Sequence, residues 1–223
     1  MKKTSFLLAS LLSAAALCAS SAHAQGIKLG LKAGANYSNL AGDLANEDRY
    51  ESKFGPHGGL MVNFDVTGDG FFSIQPELLY SQKGFKYSDT EVVFLGNKYT
   101  NTGKVNYNYL DIPIMLKINA GGLFFEAGPQ IGYLLSVSNN VKETFNGQVR
   151  NNTTNYDNLD NVQRTELGYA AGLGYQSESG PMLGLRYNGG LSKYGKKNAP
   201  NNDFNNARNS ALQLYVGYMF GGK

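Results

Sequence analysis

The chain has 223 residues, of which 17% are charged and 42% hydrophobic, with a net charge of +3, 28 Gly, 15 Tyr, 12 Phe and no Trp. No apolar run reaches the ~18 residues that a membrane-spanning helix needs, and the aromatic and aliphatic content is too high for a disordered chain. Glycine is frequent enough to argue against long helices, because each one costs ~1 kcal/mol relative to alanine there.

Met1 to Ala24 reads as a secretory signal peptide. Lys2 and Lys3 form its positive end, Phe6 to Ala19 its apolar stretch, and Ala22-His23-Ala24 a small-x-small cleavage pattern. Residues 25–223 then form the mature domain, and losing the two lysines takes the net charge to +1. So small a charge speaks against nucleic acid as a partner. The single cysteine, Cys18, lies inside the signal. A lipoprotein reading would make it the lipidated residue, but the bulky Leu17 before it does not suit that cleavage. The mature chain therefore has no disulfide and must be held together another way, such as by a closed sheet.

Period-two alternation then picks out eight candidate strands. Their apolar rows are Ile27 to Tyr37, Leu60 to Val66, Phe72 to Tyr80, Leu110 to Ile118, Phe125 to Leu135, Leu167 to Tyr175, Leu183 to Tyr187 and Leu212 to Phe220. The interleaved row carries glycines, amides and charges. Tyr107 and Tyr109 have the opposite parity to Leu110, which predicts a bulge near Tyr109. Pro76, Pro113 and Pro129 fall inside strands, where each removes a ladder donor.

Alternation alone fits a soluble sandwich as well as a transmembrane barrel. The connections separate them. They run from Ala41 to Phe54, Thr67 to Gly70, Tyr87 to Gly103, Asn119 to Gly122, Ser138 to Gln163, Ser177 to Gly180 and Ser192 to Arg208. Long and short alternate strictly, as in an up-and-down barrel with one rim outside and one in the periplasm. The fold class read here is all-β, an eight-stranded antiparallel up-and-down transmembrane β-barrel. Tyr and Phe near the strand ends are candidates for aromatic girdles at the lipid boundary.

Gln75-Pro76-Glu77-Leu78-Leu79-Tyr80-Ser81-Gln82-Lys83-Gly84, Tyr109-Leu110-Asp111-Ile112-Pro113-Ile114-Met115-Leu116-Lys117, Gly128-Pro129-Gln130-Ile131-Gly132-Tyr133, Ala170 to Tyr175 and Leu185-Arg186-Tyr187-Asn188 follow one another in that order. This set resembles the outer-membrane β-barrel family common in Bacteroidetes, called porin-family or PorT-like, which is similar to the eight-stranded OmpA-type barrel. The resemblance spans Gly26 to Phe220. It implies an outer-membrane address, a lipid environment and passage through the barrel-assembly machinery, and it implies no single activity. Phe220 resembles the terminal aromatic read as the assembly signal, although Gly221-Gly222-Lys223 follow it and Tyr215 stands where Gly is frequent.

Parity sends Lys32, Asp65, Glu77, Asp111, Lys117, Glu126, Glu166 and Arg186 into the lumen. Isolated charges there would be costly, so they should pair. The expectation is a polar plug in which Arg186 and Lys32 meet Glu77 and Glu126. The function read from this is a structural or interaction barrel with long external loops of unknown ligand, the alternative being a narrow porin for small solutes. A lipocalin-type soluble barrel would need the parity inverted. An outer-membrane hydrolase would have to use His57, the one histidine of the mature chain, which reads better as a rim or lumen residue. No motif for a nucleotide, metal or phosphate is present, so no enzyme activity, cofactor or metal is expected. The acids Asp43, Glu47, Asp48 and Glu51 match no calcium-loop spacing and read as a solvated loop.

Overall fold

The computed structural model describes residues 26–42, 50–94, 97–156, 163–193 and 206–220. The expected signal peptide and Gly221 to Lys223 lie outside them. Ten strands are present: β1 (Ile27–Ala41), β2 (Tyr50–Glu51), β3 (Lys53–Asp65), β4 (Phe72–Phe94), β5 (Asn97–Ala120), β6 (Leu123–Phe145), β7 (Gln148–Tyr156), β8 (Thr165–Gln176), β9 (Pro181–Gly190) and β10 (Arg208–Phe220). Eight of them close into an antiparallel ring, β1–β3–β4–β5–β6–β8–β9–β10, with β10 returning to β1 over the register Leu29↔Phe220 to Ala41↔Arg208. Closure leaves no free edge in the wall, which suits a chain without a disulfide. The remaining two strands are additions outside the ring, β2 on β4 and β7 on β6.

The expected apolar rows face outward. Leu78, Ile112, Ile114, Leu116, Leu135, Leu167, Leu173, Leu185 and Leu214 are all exposed on the outer wall, while the neighbours of Leu78, Ile112, Ile114, Leu185 and Leu214 on either side are buried inside. The short connections are tight turns. In one, the Asp65 and Asp69 carboxylates accept backbone N–H bonds from Gly68 and Phe71.

Two of the expected long loops are instead strand. β4 and β5 pair through Phe94↔Asn97, far past Tyr87 and Gly103. β6 runs on to Phe145, turns at Asn146-Gly147 and returns as β7. Both turn residues have positive φ, 45° and 83°, the combination that a two-residue hairpin turn requires. Past Tyr87 and Ser138 the sequence alternation fades, while the strand propensity of Val, Thr and Tyr persists.

The register does shift between Asn108 and Tyr109, but the extra residue is Leu135 on β6, between Asn108↔Ser136 and Tyr109↔Leu134. On β5 the parity is unbroken, and Tyr107 and Tyr109 simply face the interior. Pro76, Pro113 and Pro129 each coincide with a break in a ladder, whereas Pro56 in β3 keeps its place opposite Ala35. Opposite Pro76 the β3–β4 pairing skips Val62 and Asn63; opposite Pro113 the β4–β5 pairing skips Glu77 and Leu78; opposite Pro129 the β5–β6 pairing skips Ile114 and Met115. At these three prolines the missing donors thus fall where no ladder bond is made. At the last break Gly128 lies so close to the Ile114 carbonyl oxygen that a Cβ would collide with it.

Candidate functional site

The inward residues fill the lumen in layers. Nearest the short-turn rim is an apolar layer of Met61, Phe124, Met182, Tyr215 and Met219. The Tyr215 ring lies where a side chain on Gly184 would sit, so the glycine on β9 makes room for the tyrosine on β10.

Above that layer lies the first ionic cluster. Arg186 on β9, with 0% exposure, donates from both terminal nitrogens to Glu77 on β4, at 2.8 and 2.9 Å, and from Nε to Glu126 on β6, at 2.7 Å. The planar guanidinium fork matches one carboxylate bidentately and still reaches a second. Lys32 on β1 reaches Glu77 at 3.1 Å and stands 3.7 Å above the Tyr215 ring. The Tyr215 hydroxyl donates to Glu126 at 2.8 Å, and Gln75 Nε2 to Glu77 at 2.8 Å. Two cations and two carboxylates from four strands cancel in charge, which lets them be buried together. Arg186 and Glu77 are 109 residues apart in sequence, so the cluster ties opposite walls.

Next comes a neutral polar layer. Gln213 donates to Asn36 at 2.8 Å, and Asn36 donates to Ser81 at 3.0 Å. His57 and Asn188 are buried at this level.

A second ionic cluster follows, built around Lys83 on β4. Its ammonium is 3.0 Å from Asp111 and 3.3 Å from Glu166, and Asn209 donates to the other oxygen of Glu166. The extended rim is sealed by a second apolar layer of Leu40, Tyr50, Phe85, Val105, Tyr109, Leu134, Val137 and Ala207. The Tyr50 and Phe85 rings meet edge to face at 5.1 Å.

The structure places Lys32, Glu77, Asp111, Lys117, Glu126, Glu166 and Arg186 inside and buried, with all but Lys117 divided between the two ionic clusters. Lys32 contacts Glu77 and makes no direct bond to Glu126 among the described residues. Lys117 bonds the Gln176 amide oxygen at 2.6 Å and covers the Phe124 ring at 3.9 Å, rather than joining a carboxylate. Asp65 departs from expectation: it is half-buried at the short-turn rim and caps the Thr67–Gly68 turn. His57 lies inside rather than at the rim. Phe220 ends β10 on the outer wall, its ring 5.2 Å from Tyr218. Of the acidic loop, Glu51 pairs with Lys86, and Asp43, Glu47 and Asp48 lie outside the described residues.

Sequence reasoning missed Lys83, the hub of the second cluster. The signal was present, since the inward parity of Glu77 and Leu79 continues through Ser81 to Lys83. Asn209, likewise, shares parity with Gln213 and Tyr215.

A family model described as "Outer membrane protein beta-barrel domain" matches residues 19–195. No curated protein matches the chain. Among solved structures, the chain is similar to Ail, the attachment invasion locus protein of Yersinia pestis, at 14% identity over 88% of this chain and 99% of that one, with a TM-score of 0.43. It is also similar to Neisserial surface protein A, at 13% identity over 87% and 99%, TM-score 0.38. A third is OprG of Pseudomonas aeruginosa, at 11% identity over 88% and 96%, TM-score 0.34.

Proposed function

The chain belongs to the outer membrane protein β-barrel domain family, and from that premise we propose that it is a closed structural and interaction barrel rather than a pore. It is an integral protein of the bacterial outer membrane. In this reading residues 1–24 are removed on export, Phe220 is offered to the assembly machinery, and no enzymatic step is involved.

The observation that carries the closed reading is Arg186, fully buried and bonded to Glu77 and Glu126 across the lumen. An eight-stranded barrel leaves an interior that side chains can fill. Here an apolar layer lies on each side of the two ionic clusters, so a hydrated ion would have to shed water twice to pass. The interaction role rests on the strands that continue past the lipid band, β4–β5 and β6–β7, which pair into a projecting sheet; a paired strand loses less entropy on binding than an unpaired loop. The test is planar-bilayer recording on the refolded mature protein. A closed barrel gives a silent baseline, and large, steady single-channel steps would return the narrow-porin reading.

A further inference from the structure

The outer wall changes character abruptly above the lipid-facing band. On β4, β5 and β6 the register aligns Tyr80, Leu110 and Tyr133 in one row, then Gln82, Asn108 and Ser136 (across the bulge), then Lys86, Lys104 and Asn140, with Lys142 opposite Thr102. The second row is bonded sideways: Tyr80 and Gln82 both donate to Asn108, at 2.9 and 3.1 Å, and Asn108 donates to Ser136 at 2.9 Å. Tyr80 to Lys86 is six residues, about 20 Å along a strand, or roughly 15 Å of height at a tilt of ~40°. The lysines therefore stand about 15 Å above the Tyr80 row and face sideways over the membrane.

Two features of this shelf point to a ligand. Lys86 and Lys104 are directly opposite on neighbouring strands, an arrangement of like charges that destabilises a sheet by itself. Glu51 offsets Lys86, whereas among the described residues no acid pairs with Lys104 or Lys142. The shelf is also the wall of a cavity of about 1110 Å³, whose lining runs from Tyr37 and Phe54 through Gln82 and Asn106 to Lys53, Lys86, Lys104 and Lys142. Tyr37 and Phe54 pack at 5.0 Å, and Phe54 is 73% exposed. One concave surface thus combines exposed rings with several ammonium groups, which suits an anionic amphiphile rather than a soluble anion.

We propose that this shelf binds the phosphorylated sugar headgroup of an outer-leaflet glycolipid, with Lys86, Lys104 and Lys142 on its phosphates and the Tyr37–Phe54 pair against the root of its acyl chains. Basic side chains near a charged lipid surface each contribute enough that losing two lowers affinity by about thirtyfold.

The experiment uses the refolded mature protein in phosphatidylcholine nanodiscs titrated with rough lipopolysaccharide, bisphosphorylated or chemically dephosphorylated, and reads bound lipid per disc by native mass spectrometry. Heat-modifiable gel migration verifies each variant's fold. Binding of the bisphosphorylated form, weakened about thirtyfold in Lys104→Gln/Lys142→Gln, restored in Lys104→Arg/Lys142→Arg and unchanged in Lys28→Gln at the opposite rim, supports the assignment. Equal binding of the dephosphorylated lipid, or an equal loss in Lys28→Gln, overturns it. So does capture of dextran sulfate through the same lysines at affinity equal to or above that for the lipid, which would reassign the shelf to a soluble polyanion.

Discussion

Arg186 and Glu77 invite a double-mutant cycle. Glu77→Ala leaves Arg186 and Lys32 facing Glu126 alone, two positive charges against one. Arg186→Ala leaves Glu77 and Glu126 facing Lys32, two negative against one. Each single variant strands a charge that no solvent reaches, and breaking a buried pair in this way costs about 3–5 kcal/mol. The double variant restores balance, because Lys32 and Glu126 remain as one positive and one negative group beside Tyr215. Its loss should therefore be smaller than the sum of the two single losses by about 2–3 kcal/mol, the upper range for residues in one network. Urea unfolding of the refolded protein in lipid vesicles, followed by tyrosine fluorescence and by the gel shift between folded and unfolded forms, gives the three differences. Strict additivity would refute the network, and with it the claim that the four groups are buried as a neutral set.

Three further outcomes follow from the same geometry. Lys83→Met should destabilise the barrel by about 3–5 kcal/mol, because Asp111 and Glu166 then share a buried site without a cation; Lys83→Met/Asp111→Asn should recover part of that loss in the same urea assay. Gly184→Val should displace the Tyr215 ring and break its bond to Glu126, costing about 1–3 kcal/mol as an overpacked site, whereas Gly68→Val at an open turn should leave the lumen intact; the tyrosine environment seen by ultraviolet resonance Raman separates them. At the short-turn rim, the Thr67 hydroxyl and the Phe71 N–H hold the Asp69 carboxyl below its ordinary value. A depressed carboxylate contributes above its ordinary range and loses its contribution as pH falls through the folded value. Amide exchange at Phe71 should therefore accelerate below about pH 4 once corrected for intrinsic rate, and Asp69→Asn should remove that pH dependence.

The ring was legible because lipid imposes a strict rule: every second residue between Leu110 and Ile118, or Leu167 and Tyr175, must tolerate hydrocarbon. That constraint gave both the strand count and the parity of the inward charges. It ends with the bilayer, and so did the sequence reading. Past Tyr87 and Ser138, Asn, Thr and Lys follow one another without a pattern that separates strand from loop. Asn146-Gly147 was the one local signal available there, a two-residue turn flanked by strand formers. Within the lumen, parity states which side a charge faces and says little about which partner it meets. Arg186 finds Glu77 across 109 residues, and that depends on the stagger set by closure. Lys83 was missed because the apolar row that marks its strand ends at Tyr80. The prolines were unexplained because a gap in a ladder belongs to two strands at once.

Those gaps have a mechanical consequence. Pro76, Pro113 and Pro129 lie on three consecutive strands, each beside a skipped pair, so the β3–β4, β4–β5 and β5–β6 seams are thinned side by side. The pairings from β6 through β8, β9, β10 and β1 to β3 are unbroken. The cylinder is therefore anisotropic, stiff around one arc and compliant around the other. Under lateral pressure, or when pulled from one end by an atomic-force tip, it should yield first along the compliant arc, and the β4–β5 hairpin should leave as a unit before the seam that joins the two ends of the chain.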